Sequence, residues 1–241
     1  MEDAIADRLS FRRFVGIPLD ETTPDETSFV RFREKLRAGG LYEKLIDEIT
    51  RQLEDKGLML KKGTLVDATI VEADAKRPGK KEGDVSMTDT DATFTKKHGT
   101  TYFGYKMHIG VDEGSGLIRR LLGTTASIHD SLAFNGLISG DEAAAYGDKA
   151  YGSQDHRQWL ADLGIKDCLM YKASRNTPLL PWQKWFNKAV SGIRAQVEQF
   201  FGVGKQNYGL ARARYRGEAR VTGHFYLLAS CYNLRRALSL V

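Results

Sequence analysis

The stretch EAAAYGDKAYGSQ, residues 142–154, sets a carboxylate, Asp148, directly after a short apolar run and Gly147. An ionised carboxylate at the end of a buried strand is costly unless a cation or hydrogen-bond donors face it. Asp67 poses the same problem inside TLVDATIV, where Val66 and Ala68 flank it in an otherwise apolar strand. More charges lie in PWQKWFNKAVSGIRAQVEQFFGVGK. At 100° per residue from Trp182, its apolar residues gather into one stripe, and Arg194, Lys205 and Glu198 fall at about 120°, 140° and 160°, along one edge of that stripe. Alone, Arg194 and Glu198 read as an ordinary i, i+4 ion pair. Beside two carboxylates on apolar strands, the edge reads as part of a site.

The elements that must position these residues follow from periodicity. Residues 1–57 read as helical. TPDETSFVRFREKLRAGG carries a start signal, with Thr23 as N-cap, Pro24 in the first turn and Glu26 closing a capping box. Phe29, Phe32 and Leu36 recur at helical spacing before Gly39 and Gly40. After Gly63 the period changes. TLVDATIVEA, TYFGYKMHIGVD and LIRRLLGTTAS read as strands, and AKRPGKKEGDVSMTDTDATFTKKHG between the first two as a polar loop. DSLAFNGLI reads as a helix capped by Asp130. AAAYGD, DHRQWLADLG and DCLMYKA then read as strand, helix and strand, and a long helix runs from Pro181 past Phe201. Trp182 and Trp185 lie in its apolar stripe, so burial is expected for both.

The order β-β-β-α-β-α-β-α implies an α/β domain: a mixed five-stranded sheet with helices on both faces, ribonuclease-H-like, behind a small N-terminal helical unit. The expected division is residues 1–60, for DNA binding or dimerisation, and residues 61–241, a catalytic domain with a basic C-terminal segment. Catalytic members of that fold hold two divalent ions on carboxylates from the first strand, the end of the fourth and a late helix. Asp67, Asp148 and Glu198 occupy those three places.

Charge adds a partner. The chain of 241 residues has a net charge of +5. Residues 182–241 hold ten Lys and Arg against two acids, a net +8, whereas residues 1–60 hold ten against thirteen, a net −3. A one-sided basic segment, here Lys205, Arg212, Arg214, Arg216 and Arg220, is a footprint for a polyanion. No run of 18 apolar residues occurs, so no membrane span is expected. The two cysteines, Cys168 and Cys231, read as buried free thiols in a reducing compartment.

LSFRRFVGIPLDETTPDETSFVRFREKL, LVDATIVEAD, TYFGYKMHIGVD, HDS, YGDKAYGS and IRAQVEQFFGVGK together resemble bacterial insertion-sequence transposases of the DDE type. The resemblance is to the insertion-sequence-five group of the insertion-sequence-four/five superfamily, and it covers almost the whole chain. It implies catalytic and metal-ligating roles for Asp67, Asp148 and Glu198, with two magnesium or manganese ions. The family signature Y-x2-R-x3-E-x6-K matches Arg194, Glu198 and Lys205; Ser191 stands where the signature has Tyr. Implied DNA contacts are Arg194, Lys205 and Lys149, joined by Arg212, Arg214, Arg216 and Arg220 of the basic segment.

The implied activity is cleavage at the element's ends followed by strand transfer to target DNA. The implied partners are double-stranded DNA, as terminal inverted repeats and as target, and further copies of the chain as a homodimer or larger assembly. The implied location is the bacterial cytoplasm, on the nucleoid. An inactive, domesticated DNA-binding protein and a metal-dependent nuclease that cuts without joining are the alternatives. MEDAIADRLSFRRF resembles the middle of the family's N-terminal region, which implies weak discrimination between the element's own ends and random duplex.

Overall fold

The sheet is built around β1, Thr64–Glu72, in a computed structural model that describes residues 2–79, 86–174 and 177–241. β1 runs antiparallel to β3, Thr100–Asp112, and parallel to β5, Ala144–Gly147. β5 pairs in parallel with β6, Lys166–Leu169. β4, Ile118–Thr125, pairs with residues 105–111 of β3, the stretch that also faces β1, so it occupies the opposite edge. The resulting order β4-β3-β1-β5-β6 is the ribonuclease-H-like arrangement expected from the sequence.

A sixth strand, β2, Thr93–Lys97, lies inside the stretch read as loop, of which residues 80–85 are outside the described residues. It forms a hairpin with the start of β3, from Lys97 opposite Thr100 to Thr93 opposite Gly104. His98 and Gly99 have φ of 50° and 82°, as a two-residue hairpin turn requires. The same stretch contributes Asp89 and Asp91. Asp89 Oδ1 accepts from Tyr105 Oη at 2.5 Å and Gly217 N at 3.1 Å, and Asp91 Oδ2 accepts from Glu218 N at 2.9 Å. Both carboxylates thus serve the start of the final helix, where orphan amides need acceptors.

Helices cover both faces of the sheet, because its strands are apolar on both. On one side Leu65, Met107 and Ile109 pack with Val197 and Phe200 of the long helix α7, Pro181–Asn207, and Phe225 of α8, Glu218–Leu238. On the other, Val66 and Ala145 pack with α5, Phe134–Leu137, and α6, Gln154–Asp162. α8 was not expected as a separate element. Asn233 locks it to the sheet, accepting from Ile118 N and donating to Ile118 O, each at 2.8 Å.

Chain contacts divide the molecule into residues 1–44 and residues 45–241. The first unit holds α1, Glu2–Asp7, α2, Leu9–Val15, and α3, Glu26–Ala38. α4, Leu41–Asp55, begins in it and ends in the second. The cap of α3 is Asp25 rather than Thr23: Asp25 Oδ1 accepts from Ser28 N at 2.7 Å. A carboxylate satisfies an orphan amide of the first turn and also complements the helix dipole.

Three further expectations differ. His129, not Asp130, caps the short 3-10 turn Asp130–Ala133 that leads into α5, and Asp130 instead pairs with Lys106 Nζ at 2.9 Å. Trp182 and Trp185 are 53% and 72% exposed. Phe186 and Val190 already cover the short β5 and β6, and Trp182 packs only edge-on against Tyr171. Cys168 is buried, but Cys231, on α8, is exposed.

His108 is fully buried on β3, its Nε2 2.8 Å from Thr124 Oγ1. Burial lowers its pKa to about 4, with Lys106 acting the same way and Asp130 opposing. Between pH 6.5 and 4 the unfolded chain takes up a proton that the folded one refuses, so stability falls as pH falls. The expected slope approaches about 1.4 kcal/mol per pH unit for one proton. Urea unfolding of wild type and His108→Gln across that range should show the difference flattening in the variant.

Candidate active site

The pairing of β1 with β5 ends at Leu65 opposite Tyr146. Carrying that register two residues further sets Asp67 level with Asp148, and the period of two puts both on the face of Leu65, toward α7. Parallel strands that part at their C-terminal ends open a crevice there. Gly147 permits the turn to be tight: a Cβ on it would lie 2.8 Å from Leu169 Cδ2 and 3.1 Å from Tyr151 Cδ2. Asp148 Oδ1 then accepts from Ala150 N at 2.8 Å, which fixes the carboxylate at the strand's end.

The two aspartates line a cleft of about 160 Å³, together with Asp130, Lys96, Lys97 and Lys106. Asp67 Oδ1 accepts from Ala68 N at 2.8 Å, and Asp67 Oδ2 from Arg194 Nη2 at 2.9 Å. Burial raises the Asp67 pKa, and Asp148 raises it further; Arg194, the Ala68 amide and Lys97 pull it down. A carboxylate held this way gains from any further positive charge in the cleft.

Glu198 is placed differently from the expectation. It lies one turn beyond Arg194 on α7, is exposed, and does not line the cleft. Among the described residues no three His, Cys, Asp or Glu side chains stand together as a metal-binding group. The reason is the setting of α7: its Val197 and Phe200 are buried against the sheet, and in that orientation the residue that reaches Asp67 is Arg194. Lys149 and Lys205 are exposed. So are Arg212, Arg214, Arg216 and Arg220, although Arg212 pairs with Asp74 at 3.0 Å and Arg216 Nε donates to Asp74 O at 3.2 Å.

Sequence reasoning missed Lys96, Lys97 and Lys106. A signal existed in TFTKKHGTTYFGY, where a polar residue and Gly separate two β-prone runs.

A family of transposases, described as "Transposase DDE domain", matches residues 59–234, and a second, "Transposase domain", matches residues 1–35. The chain belongs to the DDE transposase family. In this transposase-family chain the first match takes in the whole sheet and both carboxylate positions of the cleft. Two solved structures are similar at lower levels. One is a chain of the simian T-cell lymphotropic virus intasome in complex with PP2A regulatory subunit B56 gamma: 15% identity, TM-score 0.30, 70% of this chain and 49% of that one covered. The transposase-family chain thus spans about half of that chain's length. The other is the catalytic core domain of BIV integrase, with 12% identity, TM-score 0.27, and 56% and 80% covered. No helix among the described residues is long and apolar enough to cross a membrane.

Proposed function

We propose that the protein is a DNA transposase of the insertion-sequence-five group, which cuts at its element's ends and joins the freed strand to target DNA. The observation that carries this reading is the convergence of Asp67 and Asp148 on one cleft in a chain of the DDE family. Their oxygen-only donor set, with Asp148 disfavouring the charge of Asp67, suits magnesium or manganese, and Glu198, outside the cleft in this setting of α7, is the carboxylate proposed to complete it when DNA and metal are bound. Two bound ions there would supply an activated attacking oxygen and neutralise the leaving one. The chain's own contribution is to offset part of the burial penalty on the charge of Asp67, through Arg194 and the Ala68 amide, and to fix Asp148 by its turn. No covalent enzyme intermediate is required, so no nucleophilic Ser or Cys is assigned.

Residues 1–60 are assigned to end recognition or dimerisation and residues 61–241 to catalysis, acting as a homodimer or larger assembly on double-stranded DNA in the bacterial cytoplasm. Incubation with labelled element ends, a target plasmid and magnesium tests the reading: cut ends and joined products are expected. Cut ends without joined products point to a nuclease, and intact DNA overturns both.

Arg212, Arg214, Arg216 and Arg220, with Lys205 and Lys149, are proposed as phosphate contacts. Neutralising the four arginines should weaken binding to all sequences alike. Each phosphate left without its arginine should lower the log–log salt slope by about one unit. An unchanged slope makes the segment a solvated face.

A further inference from the structure

The cleft has a basic wall that the proposed chemistry does not use. Thr95, Lys96 and Lys97 of β2 line it together with the carboxylates, and the charge of Lys97 reaches Asp67. The third lysine, Lys106, is already engaged: its Nζ pairs with Asp130 and donates to Ile128 O at 2.7 Å. Lys96 and Lys97 are both exposed, and no carboxylate among the described residues lies within ion-pair distance of either. Of the two, Lys97 is the one whose charge reaches Asp67, and Lys96 beside it lines the same cleft, so the hairpin offers positive charge to an anion that approaches the aspartates.

The arm that carries them is held rigidly. Its strands are joined by the tight turn at His98 and Gly99. At its base Phe94 packs on the buried Phe103, with ring centroids 4.8 Å apart, and Ser127 N donates to Thr93 Oγ1 at 2.8 Å. Gly104, with φ of 155°, stands between Glu72 of β1 on one side and Thr93 of β2 on the other. Ala73 N donates to Phe103 O at 2.9 Å, which ties the hairpin's base to the end of β1.

We propose that the β2–β3 hairpin is a positioning arm, in which Lys96 and Lys97 hold the phosphodiester backbone of the strand being cut against Asp67 and Asp148. This rests on the transposase reading. Every nucleotide brings a phosphate charge, and lysine meets it as a point charge without reading sequence. The arm therefore fixes register at the cleft, while the basic C-terminal segment supplies most of the affinity.

The test uses the full chain, a labelled duplex carrying the element's end, and the double variant Lys96→Gln/Lys97→Gln. Cleavage at saturating DNA is expected to fall about tenfold or more, because misplacement at the reacting centre costs rate. Overall duplex affinity should fall by the same factor for every sequence, because phosphate contacts carry no sequence information. The salt slope of kcat/KM should shrink by about two units, one for each phosphate no longer neutralised. Lys97→Gln alone should give half that change, and Lys96→Arg/Lys97→Arg should restore both rate and slope. A wild-type chain that cuts beside a double variant with unchanged rate and slope overturns the arm and leaves the transposase reading standing. Failure of the arginine pair to restore the rate also overturns it. A wild-type chain that does not cut DNA overturns the reading beneath.

Discussion

Asp148→Asn is expected to abolish strand cleavage while DNA binding persists or tightens. Asparagine keeps the size of the side chain, and its Oδ1 still accepts from Ala150 N, so the turn after β5 survives. What is lost is the charge that an ion would meet. Removing even the supporting partners of a metal ligand costs about tenfold to a hundredfold in affinity or activity. Removing a ligand's charge should therefore lower the single-turnover cleavage rate by at least about a hundredfold. Binding is expected to move the other way, because one negative charge near the scissile phosphate is gone. The Asp67 carboxyl should also become more acidic, since Asp148 helps to raise it. Single-turnover cleavage at saturating DNA, measured beside competition binding, checks both halves. Cleavage at the wild-type rate refutes the assignment of Asp148.

Gly104→Ala is expected to be the most destabilising single-methyl change on the path to the site. The φ of 155° is one that side-chain-bearing residues rarely adopt, and a Cβ there would stand 2.2 Å from Val71 O and 2.6 Å from Ala73 N. Backbone strain of this kind costs about 1–3 kcal/mol, and forced displacement of packed neighbours a similar amount. A total of about 4 kcal/mol is a large share of the 5–15 kcal/mol that a domain typically has. The displaced groups include Ala73 N, which donates to Phe103 O at 2.9 Å and holds β1 against the hairpin's base. Urea unfolding reads the loss directly. A variant within about 1 kcal/mol of wild type, below the ordinary cost of such strain, shows that β3 can straighten without penalty. Where the variant still folds at low temperature, its cleavage should fall as well, because the arm is no longer aimed.

These two residues belong to different layers of what the sequence discloses. Asp148 was legible because a carboxylate directly after an apolar run and a glycine conflicts with burial, and Asp67 because the same conflict recurs inside a strand. Strand alternation is local, so the face of a strand can be read from neighbouring residues. Helices on both faces followed from the order of elements, a meander of strands and then alternating helices and strands.

Gly104 was not legible. Nothing within TYFGYKMHIGVD shows that another strand approaches too closely for a side chain at its glycine, because the requirement comes from Val71 and Ala73, about thirty residues earlier in the sequence. The lysines of the hairpin were hidden for the same reason.

The α7 carboxylate marks the boundary most clearly. Arithmetic on the helix correctly set Arg194 and Glu198 along one edge of the apolar stripe, since that edge depends only on the period of the helix. Which of them reaches Asp67 depends on how α7 is turned and how far it is slid over the sheet. Val197 and Phe200 settle that by packing against the strands, and Arg194 meets the aspartate. The exposure of Trp182 and Trp185 has a related cause: an apolar stripe states what a helix could bury, and a sheet that ends at four-residue strands leaves its first turns without a surface to cover them. The sequence by itself therefore determined the five strands other than β2 and the helices between them up to α7, the two strand carboxylates and the basic last quarter. The tertiary structure alone decided the cation beside Asp67, the hairpin lysines that line the same cleft and the close approach of Gly104 to β1, because each depends on contacts between segments far apart in the chain.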